Sequence, residues 1–249
     1  EYNASCHVHL RGKGLLEPSN AIEALEEVIA AAAITGAPLH VVHLNSTGMR
    51  AVPQLLEMIA GANRSGLDVT TECYPYTAGM TKIESALFDD GWQENYGIDY
   101  EQLMRPDTGE YLTAKTFSEY RESGGWIITF STPEESMKAA VKSPLTMIAT
   151  DSIIEDGKGH PRTAGSYTKV LGEHVRENGD LDLMSALSKM TIMPAQRLQG
   201  RAPAFLNKGR IKQGADADIV VFDPLTVKDQ STYTDPIKPP IGLNHVIVN

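Results

Sequence analysis

The chain has 249 residues, 41% hydrophobic and 22% charged, with a formal net charge of -10 at pH 7. That balance suits a globular chain with a sizeable core. It carries no run of Lys or Arg, so nucleic acid is not an expected partner, and no stretch reaches the ~20 apolar residues of a membrane span. Cys6 and Cys73 are the two cysteines; they read as reduced thiols of a cytoplasmic protein and not as a disulfide framework. No signal peptide is evident. The chain starts on Glu1 and stops on a β-type run ending at Asn249, and both ends are expected to belong to something longer.

Ala4 to Leu10 predicts a strand, broken by Arg11-Gly12-Lys13-Gly14. Pro18 and Ser19 then open a helix from Asn20 to Thr35, with apolar residues at Ile22, Leu25, Val28, Ile29 and Ala32 in helical spacing and Gly36 as its stop. Pro38 to Leu44 predicts a second strand, Met49 to Asn63 a helix, and Leu67 to Cys73 a third strand. A β-α-β-α-β rhythm with a period of about 30 residues predicts a parallel sheet covered by helices. The rhythm fails from Thr77 to Gly125. That segment is polar and concentrates aromatic residues (Phe88, Trp92, Tyr96, Tyr100, Tyr111, Phe117, Tyr120). Long excursions of this kind serve as lids or binding loops, and this one is expected either to cover a strand end or to be a docked structural elaboration or oligomer contact. Trp126 to Phe130 then resumes as a strand, Pro133 to Val141 as a helix, and Leu145 to Thr150 as another strand. Helices are expected at Ser166 to Glu177, Leu181 to Met190 and from Pro194. From Ala202 the chain changes character, and Ala217 to Pro224 and Leu243 to Val248 predict a small β appendage.

Candidate chemistry collects at strand ends. Thr146 to Ser152 is an apolar run that stops on Asp151, at or just past the C-terminal end of a buried strand. In α/β barrels and open parallel sheets that end builds the active site; the alternative is an Asp that caps the next turn. His40 and His43 stand three apart, so from a regular strand they point to opposite faces. His43, nearer the strand end, is the better ligand, and His40 is expected to pack toward a helix. His7 and His9 share a face and could bind an ion in adjacent positions. His9, His43, the Glu72-Cys73-Tyr74 cluster and Asp151 all close predicted parallel strands and would converge on one mouth. Imidazoles and carboxylates together there suggest a zinc-type hydrolytic site, with Asp151 moving the proton.

These segments resemble the amidohydrolase superfamily, in its D-aminoacylase (N-acyl-D-amino-acid deacylase) branch. The segments that carry the resemblance are His9-Leu10-Arg11, Pro38 to Leu44, Glu72-Cys73-Tyr74-Pro75-Tyr76-Thr77-Ala78, Ala149-Thr150-Asp151-Ser152, His160-Pro161-Arg162 with Val170-Leu171-Gly172, and Lys208 to Pro224. The resemblance implies a distorted (β/α)8 TIM-type barrel beside a small β-sandwich, and zinc-dependent hydrolysis of the amide of an N-acyl-D-amino acid with one or two divalent metals. By position it implies that His43 is the metal-ligating histidine of the fifth strand and that Asp151 is both catalytic aspartate and metal ligand. It implies further that Arg162 pairs with a substrate carboxylate, and that His9, Arg11, Tyr76 and His160 contact substrate.

The superfamily's sixth-strand histidine has no counterpart on that count, and Glu72 takes its place as the expected ligand. Counting His7 to Leu10 as strand four leaves strands four to eight in this chain. The expected divisions are 1–201 for the barrel portion, with an insertion at 77–125, and 202–249 for the small β domain. An upstream polypeptide is expected to complete the barrel, and a homo-oligomer is possible. Two other functions fit the same residues: a cyclic-amide hydrolase of dihydroorotase or hydantoinase type, and an inert barrel kept for assembly or ligand binding.

Overall fold

Asn20 opens the first helix. Its side-chain oxygen accepts from the backbone N–H groups of Ile22 and Glu23 at 2.9 and 3.0 Å, which satisfies donors that a helix start leaves free. The helix start expected at Pro18 and Ser19 lies outside the described residues: the computed structural model describes residues 4–14, 16 and 20–248. In chain order come β1 (Cys6–Val8), α1 (Ala21–Thr35), β2 (Leu39–Val41), α2 (Leu44–Gly48), α3 (Val52–Arg64) and β3 (Val69–Cys73). Gly36 ends α1 in left-handed backbone at φ 68°, a conformation that an L side chain resists.

The next elements are β4 (Gly79–Lys82), α4 (Trp92–Tyr96), β5 (Leu103–Met104), α5 (Ala114–Ser123) and β6 (Trp126–Thr129). β4, β6 and β5 make an antiparallel sheet in that order. Its core includes Ile83, Phe88, Trp92, Leu103, Phe117, Tyr120 and Ile127, and Met49 from the connection between α2 and α3 packs into it. β6, which begins just past the Gly125 boundary that the sequence suggests for the insertion, pairs with β4 and β5.

α6 (Glu134–Lys142) and β7 (Thr146–Ile148) follow, then a hairpin of β8 (Ile154–Glu155) and β9 (Lys158–Gly159). After it come α7 (Arg162–Lys169), a π-helical segment Val170–Glu177, α8 (Leu183–Met190), α9 (Ile192–Gln199), β10 (Ile219–Phe222) and β11 (Leu243–Ile247). β10 and β11 pair antiparallel as a two-stranded sheet.

The parallel sheet has the order β1-β2-β3-β7. Five strands were expected, and among the described residues this sheet has four. The strand at Trp126 to Phe130 is the one reassigned, because β6 pairs with the insertion. Its run is apolar on both sides: Ile127 enters the aromatic core and Ile128 packs with Ala78 and Met104. Such a run shows that a strand is buried but not which sheet it joins.

Leu39, Val41 and Val69 pack with Leu25, Leu55 and Ile59 of α1 and α3. Leu55 and Ile59 are fully buried, each stabilising the helix-to-sheet contact by ~1.5–3 kcal/mol. Alternation turns His40, Thr70 and Glu72 to the opposite face. His40, expected against a helix, instead meets Thr70 Oγ1 at 2.7 Å and Glu72 Oε2 at 3.0 Å. Among the described residues no helix is long and apolar enough to cross a membrane.

Candidate active site

His9, His43 and Asp151 follow the C-terminal ends of β1, β2 and β7. Two of them sit on strained backbone. His43 has φ 36° and Asp151 φ 48°, left-handed values that cost an L residue ~1–2 kcal/mol. The chain turns sharply off each strand at the residue that faces the cavity, and strain of this kind gathers at functional sites.

His9 Nδ1 lies 2.8 Å from His43 Nε2, with the rings edge to face at 4.5 Å. Thr47 Oγ1 stands 3.4 Å from the other ring nitrogen of His43. Burial lowers the pKa of His43; the charge of Asp151 opposes that shift, and His9 and Arg162 reinforce it. The result favours neutral imidazole, the form that ligates a metal.

Arg162, at the start of α7, is 4% exposed. Its Nη1 lies 3.1 Å from Asp151 Oδ2, and its guanidinium stands 4.5 Å from the centre of the Tyr74 ring. Neither its Nε nor its Nη1 makes an aligned hydrogen bond, so a buried guanidinium keeps unused donors beside the cavity. His9, His43, Asp151 and Arg162 line one cavity of about 300 Å³, together with Arg11 and Lys13. Met80, Thr81 and Thr129 of the insertion form another wall. Larger hollows of about 560 and 630 Å³ lie on the insertion's own surface, and neither is lined by a histidine.

The donor set fits a divalent cation. Two imidazole nitrogens face each other and a carboxylate lines the same cavity, the ligand types that zinc prefers. The histidines are closer than the ~3.3 Å that separates two ligands of one tetrahedral ion with bonds near 2.0 Å, so an ion would part them slightly. Among the described residues no three His, Cys, Asp or Glu side chains converge into a complete metal site.

Of the other expected site residues, Arg11 reaches the cavity, and Glu72, Tyr76 and His160 do not line it. Glu72, expected as a metal ligand, bonds His40 and is absent from the cavity wall, because strand alternation carries it to the row of His40. Tyr76, expected at substrate, donates from its hydroxyl to Asp229 at 3.0 Å. His160 is fully buried. Its Nδ1 accepts from the backbone N–H of Arg162 and its Nε2 donates to the Ala78 carbonyl, both at 3.0 Å. Burial pushes its pKa well down, so it is a neutral brace behind Arg162. Arg11 is at the rim, paired with Glu27 at 2.9 Å.

Asn45 escaped the sequence reading. Its side chain donates to Tyr74 O at 3.1 Å and accepts from Tyr74 N at 3.3 Å, tying α2 to the turn after β3. Thr47 and Lys13 escaped it too; only their nearness to His43 and to His9-Leu10-Arg11 marks them.

A helix-covered parallel sheet that gathers imidazoles, a carboxylate and an arginine at its strand ends has the make-up of a TIM-barrel-like hydrolase. The chain belongs to the amidohydrolase family, whose model matches residues 19–249. It is 30% identical to an N-acyl-D-glutamate deacylase of Alcaligenes xylosoxydans xylosoxydans over 97% of this chain and 49% of that protein. It is 28% identical to a D-aminoacylase of the same organism, over 97% of this chain and 50% of the relative. A solved N-acyl-D-glutamate deacylase of Bordetella bronchiseptica, complexed with zinc and a phosphonate mimic of the tetrahedral intermediate, superposes with a TM-score of 0.80 at 28% identity. That match covers 97% of this chain and 51% of the solved one. The chain thus spans about half the length of the relatives that it matches.

Proposed function

We propose that this chain carries the last four strands of a metal-dependent amidohydrolase barrel that removes the acyl group from N-acyl-D-amino acids. The observation that carries the reading is the contact of His9 with His43 beside Asp151 and Arg162. With β6 outside the parallel sheet, the strand before Asp151 is the eighth, β3 the seventh, β2 the sixth and β1 the fifth. His9 and His43 then stand at the fifth and sixth strand ends, where the resemblance implies metal-ligating histidines. The missing sixth-strand histidine was a consequence of counting β6. In the same reading residues 1–201 are the barrel portion, interrupted from Thr77 through Thr129, and 202–249 are part of a small β domain with β10 and β11 as its sheet.

A zinc ion held by His9 and His43 would supply Lewis acidity at the amide carbonyl and lower the pKa of water there. This chain's own residues do the rest. Asp151 takes a proton from the attacking water on its carboxylate and returns it to the departing amine nitrogen. Arg162 turns its unused N–H groups to the substrate's α-carboxylate, a bidentate pairing that fixes the amide over Asp151. His160, locked between Ala78 and Arg162, keeps the guanidinium aimed. Thr47 holds the ring of His43.

The test is hydrolysis by the zinc-loaded full-length protein of N-acetyl-D-amino acids, their L enantiomers and hydantoins. Turnover of the D series alone is expected. Activity confined to the cyclic amides would overturn the deacylase reading.

A further inference from the structure

We propose that Lys13 makes this cavity selective for N-acyl amino acids with a second carboxylate, Arg162 holding one acid group and Lys13 the other. The inference rests on the deacylase reading and adds its substrate class.

Lys13 lies in the loop between β1 and α1 and lines the cavity with Arg162. The loop is held against the insertion. Asn95 donates from its side-chain nitrogen to the Lys13 carbonyl at 3.3 Å, and the ammonium stands 5.5 Å from the centre of the Tyr96 ring. Gly14 next to it has φ 93°, and a Cβ there would come within 2.4 Å of the Asn95 side chain. Only glycine lets the loop approach so closely. The position of Lys13 is therefore built, not incidental.

Charge gives that position its meaning. Arg11 is balanced by Glu27, and Asp151 faces Arg162. Among the described residues no carboxylate lies within 4.0 Å of the Lys13 ammonium. Burial and the charge of Arg162 push its pKa down to about 8, so Lys13 is a cation held against both desolvation and a like charge. An anion between the two relieves both costs. An α-carboxylate alone engages Arg162 and leaves Lys13 uncompensated; a side-chain carboxylate, as in an acylated glutamate or aspartate, engages Lys13 as well. The cavity of about 300 Å³ is at the small end of ligand sites, ~300–1,000 Å³, which suits a short dicarboxylate.

The experiment uses the full-length protein, with N-acetyl-D-glutamate and N-acetyl-D-methionine compared by calorimetric binding and by kcat/KM. The wild type is expected to prefer the glutamate derivative. Lys13→Met is expected to lower the glutamate-to-methionine ratio by about 10- to 100-fold, the worth of one hydrogen bond to a charged group, mainly through KM. Lys13→Arg is expected to keep most of the preference. An unchanged ratio in Lys13→Met, no preference in the wild type, or binding of neither compound would each overturn the inference. Intact dicarboxylate binding that depends on Lys13, without hydrolysis of any N-acyl-D-amino acid, would overturn the deacylase reading alone.

Discussion

His43 and Asp151 turn through left-handed backbone, and that decides how each can be tested. Asparagine tolerates this conformation better than most residues, so Asp151→Asn removes the proton acceptor without adding backbone strain. It is expected to fold as the wild type does and to lose turnover by ~10²–10⁴-fold, the usual contribution of a general base. Near-normal turnover would assign the proton transfer to another group. His160 predicts a pH dependence of stability. Burial holds its folded pKa well below the ordinary value, which is about 6.5. Its contribution is complete above that pH and is lost as pH falls toward the folded value, because the unfolded chain then binds the extra proton, at up to about 1.4 kcal/mol per pH unit. His7 and His43 are lowered too and act in the same direction. Unfolding midpoints between pH 5 and 7.5 should therefore fall less steeply for His160→Gln than for the wild type; equal slopes would contradict the buried neutral brace. The placement of Asp151 and His43 at strand ends was legible in the sequence because each closes an apolar run. The partners of Glu72, Tyr76 and His160 were not, because an apolar run does not say which face a polar neighbour takes or which backbone group will claim it.

At the scale of elements, the strands and helices were largely legible from their periods; the pairing of β6 was not. Its four residues are apolar toward two different cores, and only the partners β4 and β5, short and embedded in a polar aromatic-rich stretch, assign it. The consequence reaches the site: under the proposed count, leaving β6 out of the parallel sheet moves His9 from a fourth-strand place to a fifth-strand one. The insertion packs around an aromatic core that Met49 joins, and it walls the cavity through Met80, Thr81 and Thr129. Phe117, stacked on Trp92 with centroids 5.4 Å apart, is central to that core. Phe117→Ala is expected to cost about 3–5 kcal/mol, to open residues 83–125 to limited proteolysis before the parallel sheet, and to lower kcat/KM. A cleavage pattern identical to the wild type's would mean that the insertion does not depend on its aromatic cluster.

For the whole molecule, the parallel sheet presents one face to α1 and α3 and the other to a row of His40, Thr70 and Glu72, while catalytic chemistry is proposed for the strand ends above that row. Within that row His40 and Glu72 are a rival pair of ligand types, and the proposed count of strands favours the strand ends. Zinc content of the purified full-length protein and of two variants separates the two most directly. His43→Gln is expected to lose bound zinc together with amide hydrolysis, and Glu72→Gln to retain both. Loss of zinc in Glu72→Gln with retention in His43→Gln would contradict the account.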